Sequence, residues 1–150
     1  MTSLRLTVRA ATLTDVEAIW RIYRATIPEG QNLNDKYWDK TIQHGGMFVA
    51  EIDGRSIGFG GIDFDATEQI RYVYVIPGYQ RSGLQVGLKI LQTLEAAARQ
   101  NGIVIVRLHS TPNAVRFYEK AGYSAVPVED TIGHDHPGVE MAKQLGVQRR

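Results

Sequence analysis

Between residues 68 and 98 the hydrophobic period changes once, and the change sits on a Pro-Gly pair. Glu68–Ile76 is the most β-rich stretch of the chain, and it halts at Pro77-Gly78. Beyond the break Leu84, Leu88, Leu91, Leu94 and Ala98 recur at helical spacing until Asn101-Gly102. A strand passing through a small, polar turn into an amphipathic helix is a building unit of mixed α/β architecture. Such a turn aims free backbone N–H groups and the positive end of a helix at one point, which makes a phosphate cradle, with Arg81 as a mobile positive charge at its lip. On local composition alone the same stretch equally describes a plain strand-to-helix connection.

The remaining elements follow from the same two periods. Leu4, Leu6 and Val8 alternate with polar residues as a half-buried strand. Thr14 offers an N-cap for a helix carrying Val16, Ile19, Trp20, Tyr23 and Ile27, which Pro28 closes. A polar loop leads to a weaker helix with Tyr37, Trp38, Thr41 and Ile42 inward. Met47–Ile52 and Ser56–Phe64 flank Asp53-Gly54, a hairpin signature, and Gly58, Gly60 and Gly61 weaken the second strand. Ile103–Leu108 reads as a central strand covered on both faces. Thr111-Pro112 opens a helix that Gly122 closes, and Tyr123–Val128 and Val139–Leu145 read as two final strands. The order β-α-α-β-β-β-α-β-α-β-β predicts a mixed, mostly antiparallel α/β sheet with helices on both faces, in one domain over residues 1–150.

Composition narrows the chemistry. Seventeen basic and sixteen acidic side chains leave a charge of +1, so no net field favours nucleic acid or an anionic membrane as partner. The longest apolar run, Tyr72 to Ile76, is far short of a membrane span, and residues 1–15 lack an apolar signal core, so a cytoplasmic location is expected. The absence of cysteine excludes thiol nucleophiles and Cys-ligated zinc. Gly78 and Gly83 have P-loop separation, but Leu84-Gln85 stands where Lys-Ser or Lys-Thr is required, and no G-x-G-x-x-G occurs. Gly122-Tyr123-Ser124-Ala125-Val126 lacks the final glycine of a nucleophile elbow. His134-Asp135-His136 offers two imidazoles at i, i+2 without a clear further ligand nearby in sequence, so no metal is expected and the segment reads as a polar substrate-side loop.

Gln80-Arg81-Ser82-Gly83-Leu84-Gln85 resembles the Gln/Arg-x-x-Gly-x-Gly/Ala signature of the GNAT N-acetyltransferase superfamily, whose loop holds the pyrophosphate of acetyl-CoA. Val75-Ile76-Pro77 resembles the V-x-P that ends that family's fourth strand, and the block from Asn113 through Phe117-Tyr118 to Gly122-Tyr123 is similar to its A-x-x-F-Y-x-x-x-G-F/Y. Val8-Arg9-Ala10-Ala11-Thr12 and Met141–Leu145 resemble its first and last strands, so the likeness spans nearly the whole chain. It implies a GNAT-like fold, acetyl-CoA as co-substrate without a metal, and cofactor contacts from Val75, Arg81, Ser82, Gly83, Leu84, Gln85, Val86 and Asn113. One position departs: Gln85 stands where the family has Gly or Ala, and binding is expected to persist with altered geometry or affinity.

The same resemblance implies acetyl transfer to a primary amine by direct attack, with strands four and five splayed at Val75 and a backbone N–H there facing the oxyanion. Tyr118 takes the position of the residue that protonates the leaving thiolate; read without its neighbours, it is a core tyrosine. Many relatives place a Glu base where Gln69 stands here, so Glu68 becomes the candidate base provided the strand is bulged, with His109 and Glu51 as alternatives. Residues 28–38 and 129–138 are expected to line the acceptor site, where Glu29, Asp35, Glu129, Asp130 and Asp135 suggest a cationic small-molecule or peptide amine. Final strands of this kind pair between subunits in some proteins, which makes a homodimer a further expectation. Gln69 and Gln85 also suit a rival reading, a non-catalytic acyl-CoA-binding or regulatory module of the same fold.

Overall fold

The computed structural model describes residues 5–28, 33–34, 36–80 and 84–146. Strands β1 (Leu6–Ala10), β2 (Met47–Ile52), β3 (Arg55–Ile62) and β4 (Ile70–Val75) form one antiparallel sheet in chain order. A second antiparallel sheet holds β5 (Ile105–Ser110), β6 (Ser124–Ala125) and β7 (Val139–Gln144), with β7 in the middle. Between the sheets lie β4 and β5, neighbours that share no ladder among the described residues. One side chain bridges their base: the Arg107 N–H donates to Gln69 Oε1 at 2.9 Å.

Helices cover both faces, as the periodicity implied. Helix α3 (Val86–Gln100) lays Ile90, Leu91, Leu94 and Ala98 on one face, in a cluster with Ile57, Val106 and Leu108. Helices α1 (Val16–Thr26) and α2 (Asp39–Gln43) close the other face around Trp38, Phe59, Ile19 and Ile22, all fully buried. The short helix α4 (Val115–Lys120) packs Phe117 and Tyr118 against the first cluster. The glycines of β3 have a packing role. A Cβ on Gly60 would stand 2.4 Å from Ile90 Cγ2, so the bare backbone lets α3 lie close to the sheet.

The hairpin forms as its signature requires, with Asp53 and Gly54 at φ 51° and 81° between β2 and β3. A bulge interrupts β4: Gly61 pairs Tyr72 but Ile62 pairs Ile70, leaving Arg71 unmatched. Other boundaries differ from expectation. The first helix is capped from Thr12 rather than Thr14, because Asp15 turns back to accept the Thr12 N–H at 2.8 Å and the chain enters through a 3-10 turn. Arg9 holds the Asp15 carboxyl below its usual range through paired hydrogen bonds. Strand β5 buries only alternate residues and leaves Ile105 52% exposed, since it is the outer strand of its sheet rather than a central one. Strand β6 keeps two residues: the Val126 N–H still donates to the Glu140 carbonyl at 2.8 Å, and Pro127 then leads the chain into a 3-10 turn over Val128–Asp130.

Candidate active site

The end of β4, the first turn of α3 and the inner face of α4 surround a cavity of about 440 Å³. Its walls are Val73 and Val75 from β4, Gln85 to Leu88 at the start of α3, and Ala114, Phe117, Tyr118 and Ala121 around α4. The Ile76 N–H donates to the Ile57 carbonyl at 2.9 Å. Alternation along an antiparallel ladder then turns the backbone groups of Val75 and Val73 away from β3, toward the unpaired side of β4. The Val75 carbonyl there accepts from Gln80 Nε2 at 2.9 Å. Strand-like backbone thus faces the cavity from one side and a helix N-terminus from another.

Of the residues assigned from sequence, Val75, Gln85, Val86 and Tyr118 line this cavity together. Leu84 precedes the helix and Asn113 lies in the 3-10 turn before α4, neither among the lining side chains. Arg81, Ser82 and Gly83 lie outside the described residues, as do Glu29 and Asp35 on the acceptor side. Gln85 adopts φ 54°, ψ 45°, the left-handed region, as N-cap of α3. A small residue suits this position for two reasons: close approach to a ligand, and freedom from the Cβ strain of that conformation. Sequence reasoning gave only the first.

Tyr118 is half-buried, and no hydrogen bond holds its hydroxyl among the described residues. Burial, then the neighbouring Tyr74, pushes it up to about 12, so the phenol keeps its proton throughout the neutral range. The core role weighed for Tyr118 belongs instead to Tyr123, 3% exposed, whose hydroxyl donates to the buried Glu95 at 2.8 Å.

Glu68 takes no part in this cavity. The bulge at Arg71 supplies the irregularity its candidacy required, and its carboxylate, 4% exposed, lines a second pocket of about 230 Å³ with Tyr72, Tyr74 and His109. Its partner is His134, whose Nε2 lies 3.0 and 3.1 Å from the two carboxylate oxygens. The His134 ring stacks on His109 at 3.7 Å between centroids, nearly parallel, with His136 edge-on at 4.7 Å from His109. Burial and the two neighbouring imidazoles hold His109 below the usual range, which keeps its ring neutral. Glu51, the other alternative base, is instead bound to Arg9 at 2.8 Å on β2, and Gln69 is committed to β5. Gln80, Val73 and Tyr74 were not singled out from sequence. Alternation from Val75 points to Val73, and Gln80 opens the loop motif, but nothing local to Tyr74 marks it.

Residues 12–145 match the profile of the Acetyltransferase (GNAT) domain family. Among solved structures, N-acetylglutamate synthase from Neisseria gonorrhoeae, complexed with coenzyme A and N-acetyl-glutamate, is similar over 97% of this chain at 18% identity and a TM-score of 0.79. The chain spans only 36% of that protein's length. The ribosomal-protein-S18-alanine N-acetyltransferase from Escherichia coli is 18% identical, with 97% of each chain covered and a TM-score of 0.73. The protein yncA from Salmonella typhimurium, with its cofactor acetyl-CoA, is 20% identical over 97% of each chain at a TM-score of 0.76. These likenesses carry the fold, and the profile match over most of the length carries the family: the chain belongs to the GNAT acetyltransferases.

Proposed function

We propose that this protein moves acetyl from acetyl-CoA to a primary amine by direct attack within a ternary complex. The observation that carries the reading is the cavity where β4 backbone outside any strand ladder, the start of α3 and the Tyr118 side chain converge. In this reading the pantetheine arm pairs with the Val73 and Val75 backbone as an added strand would. The pyrophosphate lies against the N-terminus of α3 beside Gln85, with Arg81, Ser82, Gly83 and Leu84 completing the loop and Asn113 at the far rim.

The acceptor enters by the Glu68 pocket, on the other face of β4. The amine nitrogen attacks the thioester carbonyl, its proton passes to Glu68, and a β4 backbone N–H near Val75 receives the oxyanion. Collapse of the tetrahedral intermediate breaks the C–S bond, and Tyr118 hands its proton to sulfur. A phenol near 12 is a weak acid beside an ordinary thiol near 8.5. The same desolvation raises the basicity of a thiolate held in that cavity, which narrows the mismatch.

A thiol-release assay with acetyl-CoA and a panel of small amines and peptide N-termini tests the proposal. Free CoA appearing only with an acceptor, in step with acetylated amine, is the expected result. Saturable acetyl-CoA binding with no turnover on any amine would overturn it and favour the non-catalytic module.

A further inference from the structure

The sequence contains four histidines, and the fold brings three of them together. His109 arrives from β5, while His134 and His136 come from the loop before β7. One ligand atom from each lies within 4.8 Å of the other two. The further ligand that the His-Asp-His segment lacks in sequence therefore comes from another element. We propose that His109, His134 and His136 form a binding site for one divalent transition-metal ion of the zinc type, backed by the Glu68 carboxylate.

Three features carry the assignment. Imidazole is the ligand that zinc and its first-row neighbours favour, and three nitrogens leave a tetrahedral ion one open position. Zinc–nitrogen bonds of about 2.0–2.1 Å set nitrogens roughly 3.4 Å apart, so atoms already within 4.8 Å need draw in by about 1.4 Å at most. His109 on β5 and His134 in the loop closed by Pro137-Gly138 stack at 3.7 Å, and rotation about their side-chain bonds would turn their nitrogens toward one point.

Second, Glu68 is a buried carboxylate with no lysine or arginine at ion-pair distance among the described residues; its partner is His134 alone. A buried anion calls for a compensating cation, which a metal on the imidazoles would supply. A carboxylate behind a metal-bound histidine also fixes the ring's orientation. Third, Glu140 secures the loop without being consumed as a ligand. It accepts from the Ile132 and Gly133 N–H groups at 2.9 Å and from Arg107 at 3.1 Å, which anchors the loop, and it stands with Glu68 behind His134. The cluster lines both the 230 Å³ pocket beside Tyr74 and a neighbouring one of about 270 Å³, so the ion has an entry path.

Titration calorimetry of the full, untagged chain with ZnSO4, with MgCl2 as a hard-ion control, tests the site. One Zn2+ per chain and no Mg2+ heat are expected. His109→Ala and His136→Ala should each weaken Zn2+ binding at least about 10- to 100-fold, a loss that even an outer partner costs, and Glu68→Gln should fall in the same range. His44→Ala should leave binding unchanged. Cobalt substitution gives a second readout: visible absorption of a low-coordinate Co2+ centre, present in the wild type and abolished in His136→Ala. His136 is exposed, so this variant is expected to fold, and its circular dichroism checks that. Absence of stoichiometric Zn2+ binding, survival of binding in both alanine variants, or equal loss in His44→Ala would overturn the assignment.

Discussion

Tyr118 and Tyr123 end up five positions apart with opposite uses for their hydroxyls, one facing a cavity and one tied to Glu95. Tyr118→Phe removes no protein hydrogen bond seen here, so melting temperature and CoA affinity should stay near wild type. Turnover should fall by about 10- to 10⁴-fold, the span of a general-acid contribution. A fall confined to kcat marks an interaction made in the transition state, whereas unchanged kcat with chemistry rate-limiting removes Tyr118 from the mechanism. Gln85 carries a second expectation. Glycine relieves the roughly 1 kcal/mol that a side chain costs in the left-handed region, against glycine's own entropy loss on folding. Gln85→Gly should therefore melt near or slightly above wild type and bind CoA more tightly, as calorimetry on both proteins would show. Weaker binding would mean that the glutamine side chain contributes a contact.

At the scale of elements, α3 is fastened to the second sheet by a polar contact inside the core. Lys143 of β7 reaches Glu95 at 3.1 Å, and the Tyr123 hydroxyl shares the carboxylate. Lys143→Met leaves Glu95, 3% exposed, with one neutral donor. A fully buried pair loses about 3–5 kcal/mol when one partner goes; Lys143 is 24% exposed, so a loss of roughly 1–3 kcal/mol is expected in urea unfolding. Elements like α3 were legible in the sequence because their signals are local: a Pro-Gly stop, an Asn-Gly end, and apolar residues at helical spacing, of which Leu91, Leu94 and Ala98 lie on the buried face while Leu84 precedes the helix. The hairpin was legible from Asp53-Gly54 for the same reason. What the sequence hid depends on partners far along the chain. The Glu95–Lys143 contact joins residues 48 apart, and Glu68 meets His134 across 66. Strand β5 looked central because its composition is apolar, yet burial depends on which strands flank it.

For the molecule as a whole, the decisive feature is that the seven strands of the described residues make two sheets rather than one. If acetyl-CoA fills the division, it stabilises the native state by RT ln(1 + [L]/Kd), and a thermal shift should follow its concentration. Pantetheine, lacking the pyrophosphate, should shift the melting temperature much less; equal shifts would remove the phosphate cradle from the account. Hydrogen exchange should localise the contact, with the Val73 and Val75 amides slowed by more than the global gain in stability that a core amide such as Phe59 reports. The division also bears on handling. Two inward-facing strand edges left open by an absent ligand are sites where another chain's extended segment can dock, and such edges promote self-association. If the small molecule acts as a removable strand between the sheets, concentrated stocks should scatter more light after exhaustive dialysis than with CoA present.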